Sequence, residues 1–338
     1  NYLKKYAFHK FDYWERKLLG KNNEKFDIDL IHAKEISLEK SMELFKNNID
    51  GIHLETTYYC NRKCAYCPVS IYKRDEKIFM SDDLLDSIIQ GLKKIQYKRQ
   101  FILNLYNEPF AHMKVFLNTL HKLKKNLPEA IFLTHSNGDY IRNIDVLKKL
   151  SLSGLHRLRI TLHTPPARKY SRSYMEKRLI RFAKILNFNL SKKEISNLSF
   201  GFKVGELSVV VQCTNFFVDG NSRGKTIDFL EATKTRETPC VRPFREFVIY
   251  YDGTVTPCCS IHHGENYNSN SVGKVSSDNI YSIFEIYANK TLARWRKGLI
   301  DWSPKTGVCA TCTDNIDHRT SVLSNKNYHN KVIKNILT

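Results

Sequence analysis

Long apolar runs are missing from this 338-residue chain. No stretch approaches the roughly 18–20 apolar residues that a membrane helix needs, so no span is expected. The first residues, Asn1-Tyr-Leu-Lys-Lys-Tyr6, are basic but lack the apolar centre of a signal peptide, and a cytoplasmic location is the expectation. Acidic residues are also short: 34 Asp and Glu stand against 54 Lys and Arg, leaving a net charge of +20. Such a field favours polyanions and phosphorylated small molecules. No nucleic-acid-binding module accompanies it and the basic residues are scattered, so nucleic acid is not the expected partner. A disulfide framework is absent as well. The nine cysteines are an odd number, grouped at metal-like spacings. Beyond a βα alternation there is no internal repeat. Hydrophobic residues, at 42 %, suffice for one barrel-sized domain and an appendage.

What the chain does have is Cys60-Asn-Arg-Lys-Cys64-Ala-Tyr-Cys67. Three thiolates at these spacings can hold three irons of a [4Fe-4S] cube and leave the fourth without a protein ligand. Iron–sulfur clusters ordinarily take four cysteines, so the gap reads as an open coordination site. A structural zinc is the alternative, but it closes with four ligands. No further Cys or His follows Cys67 before His112. The loop comes after an extended apolar run, Ile52 to Thr57, and before a helical stretch from about Ser81. That is the end of a strand, where α/β barrels carry their active sites.

Strand and helix patterns then alternate, as parallel βα units require. Phe101–Tyr106, Ala130–His135 and Leu158–Leu162 read as strands, with helices over Met113–Leu127 (stopped by Pro128) and Ile144–Leu152. A basic helix is expected over about Tyr174–Leu186 and a late strand over Leu207–Cys213. Periodicity does not decide whether one or two strands close the sheet after residue 198.

The Cys60-x3-Cys64-x2-Cys67 loop, with Tyr66 just before its last cysteine, resembles the signature of the radical S-adenosylmethionine (SAM) superfamily. The resemblance implies an α/β fold, a partial (β/α)6 TIM-like barrel. It also implies a cluster whose open iron chelates SAM, and one-electron cleavage of SAM to methionine and a 5′-deoxyadenosyl radical. Tyr66, Asn107, Glu108, Asn137 and Thr161 fall at positions that contact SAM in that family. Tyr106-Asn107-Glu108-Pro109 stands where the family has Gly-Gly-Glu-Pro, so both glycines are missing. His163 stands where an Asp is frequent, and its role stays open.

A second group of cysteines lies towards the C-terminus: Cys240, the pair Cys258-Cys259, and Cys309-Ala-Thr-Cys312. Asp252-Gly253 between apolar runs marks a β-hairpin. Four converging thiolates would suit zinc or a cluster equally by spacing. Cys-x-Arg-Pro-Phe, the hairpin, Cys-Cys and Cys-x2-Cys, in that order, resemble the SPASM or "twitch" domain, a small β-hairpin plus helix unit with an auxiliary [4Fe-4S] cluster. Cys240, Cys258, Cys309 and Cys312 are the ligands this implies, although Cys259 could replace Cys258. The free cysteine, Cys259, is then a candidate hydrogen-atom donor of the kind used by radical SAM epimerases, and Cys213 is a weaker one.

The implied organisation is an N-terminal extension (1–50), a barrel (51–225), an auxiliary-cluster domain (226–315) and a tail (316–338). The aromatics Tyr2 to Trp14 within the extension are expected to pack across the barrel floor. The implied activity is oxidation or epimerisation of a sugar-like or other anionic small substrate, with a reductant such as flavodoxin or ferredoxin. Modification of a peptide is the close alternative. A basic, non-catalytic iron–sulfur or zinc protein that binds nucleic acid is the alternative of another class.

Overall fold

The computed structural model describes residues 29–32, 35–166, 168–262 and 270–313. The aromatics Tyr2 to Trp14, the middle of the loop after His262 and the tail from residue 316 lie outside these. In chain order the main elements are α1 (Leu38–Asn48), β1 (Gly51–Leu54), α2 (Asp82–Lys94), β2 (Gln100–Ile102), α3 (Met113–Asn126), β3 (Ile131–Ser136), α4 (Ile144–Leu152) and β4 (Arg157–Thr161). They continue with α5 (Arg172–Ile185), β5 (Ser199–Val204), β6 (Leu207–Gln212), β7 (Glu246–Ile249), β8 (Thr254–Thr256), β9 (Gly273–Lys274), α6 (Ser282–Tyr287) and α7 (Lys290–Leu299). The chain divides into two compact units. Leu54–Phe79 and Lys98–Gly220 make the first; the segment ending at His53, Met80–Tyr97 and the chain from Asn221 onward make the second.

In the first unit β2, β3, β4 and β6 lie side by side and parallel, and β5 pairs antiparallel with β6. Two strands therefore follow residue 198, and they form a hairpin. Parallel neighbours need long crossovers, which α3, α4 and α5 supply. Phe101, Phe132, Leu158, Ile160 and Val211 are fully buried, the near-continuous apolar content expected of strands covered on both faces. The second strand is shorter than its apolar run suggested. Asn104 interrupts it, because its Oδ1 accepts from the His135 backbone N–H (2.8 Å) and the Thr134 hydroxyl (3.2 Å). A side chain thus replaces the ladder. Helix α4 starts at Asn143, whose Oδ1 caps the N–H groups of Asp145 and Val146.

The segment from Glu55 to Phe79 is closed on itself. Tyr58 N–H donates to the Ile78 carbonyl (2.9 Å) and Cys60 N–H to that of Arg74 (3.2 Å). Beneath it, Arg74 Nη1 donates to Glu55 Oε1 at 2.6 Å, and both side chains are 0 % exposed. Glu55 Oε1 also accepts the Tyr106 N–H (2.9 Å), while the Arg74 guanidinium lies 4.5 Å from the Tyr58 ring centroid.

In the second unit Ser81 caps α2, accepting from the Leu84 N–H at 3.2 Å, with Asp82 and Asp83 in the first turn and Lys93 and Lys94 in the last. That arrangement complements the helix dipole. Gly91 is required by a close approach: a Cβ there would lie 2.3 Å from the Ile280 carbonyl oxygen. Strands β1, β7, β8 and β9 are neighbours in that order, and β7–β8 is the hairpin expected around Asp252-Gly253. Gly253 has φ +86°, the left-handed conformation the turn needs. The core gathers on Phe45 of α1, whose ring meets Phe247, Phe284 and Tyr287 edge-on at 5.2–5.3 Å. Among the described residues, no helix is long and apolar enough to cross a membrane.

Removing one member of a buried ion pair strands the other. Arg74→Met should therefore cost about 3–5 kcal/mol of stability, measured by denaturant unfolding of the metal-free protein. The double variant Glu55→Gln/Arg74→Met should recover part of that loss; simple additivity would show that the pair does not act as a unit.

Candidate iron–sulfur centres

Cys60, Cys64 and Cys67 all sit in the pinned 55–79 segment. Cys67 N–H donates to the Cys64 carbonyl (2.9 Å), turning the loop tightly between them. From its middle, Arg62 reaches the end of β3. Its Nε donates to Asp139 Oδ2 (2.7 Å) and its Nη2 to Oδ1 (2.5 Å). Asn61 donates to the same carboxylate (2.8 Å) and accepts from the Asn137 amide (2.8 Å). Burial pushes the Cys60 thiol up to about 12 and Cys64 to about 11, and proximity to Cys67 adds to both. Three thiols that oppose one another's ionisation are a donor set which a cationic iron centre would relieve, so they fit a cluster.

The strand ends beside this loop bring Glu108 and Asn137 together. Glu108 is buried, and its carboxylate accepts from the Ser136 hydroxyl (2.8 Å) and the N–H groups of Phe110 (3.1 Å) and Asn137 (2.7 Å). Oε1 takes two of these and Oε2 one. A lone pair on Oε2 therefore remains for a further donor such as an ammonium. Burial pushes Glu108 up to about 7, against the lowering effect of its three donors. Asn107 is committed elsewhere: its amide donates to Thr57 Oγ1 (2.8 Å) and its carbonyl accepts the Leu105 N–H (3.0 Å). Its neighbour Tyr106 lies over Arg74, 5.7 Å from the guanidinium. The side chains that replace two glycines thus serve the packing under the loop. Thr161 ends β4 and is buried.

Tyr66 lies against Phe216 and Phe217, with ring centroids at 5.1 and 5.2 Å, and its hydroxyl is 3.0 Å from His163 Nδ1. Burial, with Arg62 and Arg178 nearby, depresses His163 to about 3. The imidazole is neutral and the phenol, also raised by burial, stays protonated. His163 is therefore a hydrogen-bonding partner for Tyr66. Cys213 is buried, with its sulfur 3.7 Å from the Met175 carbonyl of α5.

In the second unit Cys240, Cys258, Cys309 and Cys312 line one cavity together with Arg236. Arg236 is 8 % exposed. Its Nη1 donates to Cys312 Sγ (3.4 Å), Nε to the Thr238 carbonyl (3.1 Å) and Nη2 to that of Pro239 (2.9 Å). None of these acceptors is a carboxylate. A buried cation so placed fits an anionic metal–thiolate centre better than four neutral thiols. Cys259 is not part of that lining. Its sulfur accepts from Arg242 Nη1 (3.3 Å), which also donates to Glu246 Oε1 (2.7 Å). Donor atoms of Cys259, Glu246 and His53 all lie within 4.8 Å of one another. The adjacent cysteines thus have different surroundings. Arg62–Asp139 and His53–Glu246 carry no sequence signal, because their members are remote in the chain and follow no period; Arg242 and Glu246 are four residues apart, and Arg242 belongs to the Cys-x-Arg-Pro-Phe motif.

The comparisons agree with this chemistry. The model of the radical SAM superfamily matches residues 54–195, and that of an iron–sulfur cluster-binding domain, SPASM, matches residues 240–313. A curated S-adenosyl-L-methionine-dependent 2-deoxy-scyllo-inosamine dehydrogenase from Niallia circulans is 22 % identical over 267 residues, spanning 78 % of this chain and 92 % of the relative. The crystal structure of BtrN with AdoMet and 2-DOIA superposes with a TM-score of 0.59 at 20 % identity, covering 80 % of this chain and 95 % of that one. BtrN in an open conformation gives 0.53 at 18 %, covering 82 % and 97 %.

Fold and cysteine pattern together define a SAM-dependent iron–sulfur enzyme of the α/β partial-barrel class. The chain belongs to the radical SAM superfamily and carries a SPASM-type cluster domain. Its cofactors are SAM, the [4Fe-4S] cluster of the radical SAM domain and auxiliary iron–sulfur.

The cavity lining separates the paired cysteines experimentally. Anaerobically reconstituted protein should hold about eight irons, as two cubes require. Cys258→Ser should lose up to half of the iron and the matching cluster absorbance, whereas Cys259→Ser should retain both. The reverse pattern would exchange their roles.

Proposed function

We propose that this enzyme oxidises a hydroxyl-bearing carbon of a sugar-like or other anionic small substrate to a carbonyl: a hydrogen atom is abstracted from the carbon, and the resulting radical then loses one electron to the auxiliary site and its hydroxyl proton to solvent. When bound, the radical SAM cluster supplies the electron that splits SAM, and the auxiliary cluster supplies an acceptor for the electron released by the substrate. The residues of the chain prepare both events. Glu108 offers its remaining Oε2 lone pair to the SAM ammonium, and the Tyr66–Phe216–Phe217 group offers an apolar wall. Cys60, Cys64 and Cys67 are the ligands on that side; Cys240, Cys258, Cys309 and Cys312 are those of the auxiliary site.

The observation that carries the oxidation reading is the four-cysteine cavity with its buried guanidinium. A cation donating to a ligand sulfur stabilises the reduced, more negative state of a cluster, which suits an electron acceptor. The alignment over 92 % of a dehydrogenase acting on an aminocyclitol supports the substrate class. A second reading has its own observation: Cys259 is spared from the cavity and held beside Glu246 and Arg242. A thiol so placed could return a hydrogen atom, giving epimerisation. A cytoplasmic setting with flavodoxin or ferredoxin as reductant completes the proposal.

Aminocyclitols and nucleotide-linked sugars are the substrates to screen anaerobically with SAM and dithionite. The expected result is 5′-deoxyadenosine together with a product lighter by two hydrogens. Unchanged mass with inverted configuration, abolished by Cys259→Ala, would replace oxidation by epimerisation.

The Glu108 proposal predicts a pH dependence. Its carboxyl lies at about 7 in the SAM-free protein, above its usual range, and only the ionised form accepts the SAM ammonium. SAM affinity in the reconstituted enzyme should therefore fall below pH 7, approaching about tenfold per pH unit. Equilibrium dialysis should show weaker and nearly pH-independent binding in Glu108→Gln. An unchanged slope in that variant would remove Glu108 from SAM recognition.

A further inference from the structure

A basic cleft of about 500 Å³ opens in the first unit between the turn after β3 and helix α5. Ile141, Phe182 and Ile185 contribute apolar surface, and Arg142, Lys177, Arg178 and Arg181 contribute cations. Gly138, at φ +81°, brings the turn close to α5, since a Cβ there would meet the Phe182 ring at 3.2 Å. Helix α5 carries five basic residues and one acid, Glu176, which is already paired with Arg172. Arg142, Lys177 and Arg181 are exposed and have no ion pair among the described residues. Unneutralised cations around an apolar floor are the surface that an acidic protein partner complements.

The cleft is also wired to the cysteine loop. Its wall includes Asp139, which Arg178 approaches at 3.7 Å and which holds Arg62 in a two-point ion pair. Arg62 lies between Cys60 and Cys64 in the cysteine loop. A continuous chain of covalent and hydrogen bonds therefore leads from cleft to ligand sulfur. An electron arriving at the cleft would have this bonded route to the cluster loop, which a plain polyanion would not use.

We propose that this cleft is the docking surface for an acidic one-electron carrier protein, which delivers its electron to the cluster loop past Asp139 and Arg62. The inference rests on the SAM-cleaving reading above. Its balance is simple: the reduced carrier loses one electron, the cluster gains it, and cleavage of SAM consumes it.

The test uses reconstituted holoenzyme and its Lys177→Glu/Arg181→Glu variant, which changes no proposed cluster or SAM contact. A Lys124→Glu/Lys125→Glu variant on α3 controls for net charge. 5′-Deoxyadenosine formation is followed with dithionite and, separately, with an acidic flavodoxin kept reduced by its reductase. With dithionite all three proteins should match. With flavodoxin at low salt the cleft variant should fall at least tenfold and the control should not, and added salt should slow the wild type.

Equal flavodoxin-driven rates in wild type and cleft variant would overturn the docking surface, as would an equal drop in the control. Binding of a single-stranded oligonucleotide that is lost in the cleft variant, with the flavodoxin rate unaffected, would overturn it in favour of nucleic acid. Absence of 5′-deoxyadenosine with dithionite in the wild type would instead strike the SAM-cleaving reading itself, so the two failures are distinguishable.

Discussion

The buried Glu55–Arg74 ion pair is the constraint on which the cysteine loop depends. Desolvating both charges costs several kcal/mol each, and their attraction repays this only when geometry and additional hydrogen bonds are good. Here Glu55 also takes the Tyr106 N–H, while Arg74 lies against the rings of Tyr58 and Tyr106 and offers its carbonyl to Cys60. The pair thus connects the start of the loop, its return limb and the exit of β2. Hydrophobic packing of equal volume could stabilise the segment as well, but it would fix its register less sharply. A site that needs three sulfurs at defined spacing gains from charges that tolerate only one arrangement.

The same connection accounts for the departure at Tyr106-Asn107. Two glycines would leave the backbone open there. In this chain Tyr106 covers Arg74 and Asn107 bridges to Thr57, so both side chains stiffen the floor of the loop. Glu108, next in sequence, is then held by three donors from β3 and its own turn. Local rigidity passes along three consecutive residues, from a packing role to the carboxylate proposed to meet SAM.

Elements with a local signal were legible in the sequence. The helix starting near Ser81, the helices α3 to α5 and the turn at Asp252-Gly253 each depend on residues a few positions apart, and their boundaries fall within a few residues of expectation. The first cysteine loop was legible for the same reason. Asn104 shortens β2 through a bond to a strand thirty residues later, and neither residue announces the other. Arg62 with Asp139 is likewise a meeting of distant positions. Charged residues in a chain of net +20 are too numerous for such pairs to stand out. Resemblance singled out Glu108 and Asn137, while only the coordinates show that the second donates its backbone N–H to the first.

Where the positive charge lies matters more than its total. On α5 the cations other than Arg178 are exposed, and water already solvates them at little cost. Arg236 is different: the protein encloses its guanidinium and gives it two carbonyl oxygens and a sulfur, without a carboxylate. Two carbonyls satisfy hydrogen bonds but leave a unit of buried charge unbalanced, an expensive arrangement in a medium of low dielectric. Cys312, Cys309 and Cys240 are near enough to supply negative charge, and each can do so only as a thiolate. Burial alone raises the Cys240 and Cys309 thiols rather than ionising them. A metal centre that held the sulfurs deprotonated, as proposed, would make guanidinium and sulfurs mutually consistent. The buried arginine is part of the same design as the cysteines around it.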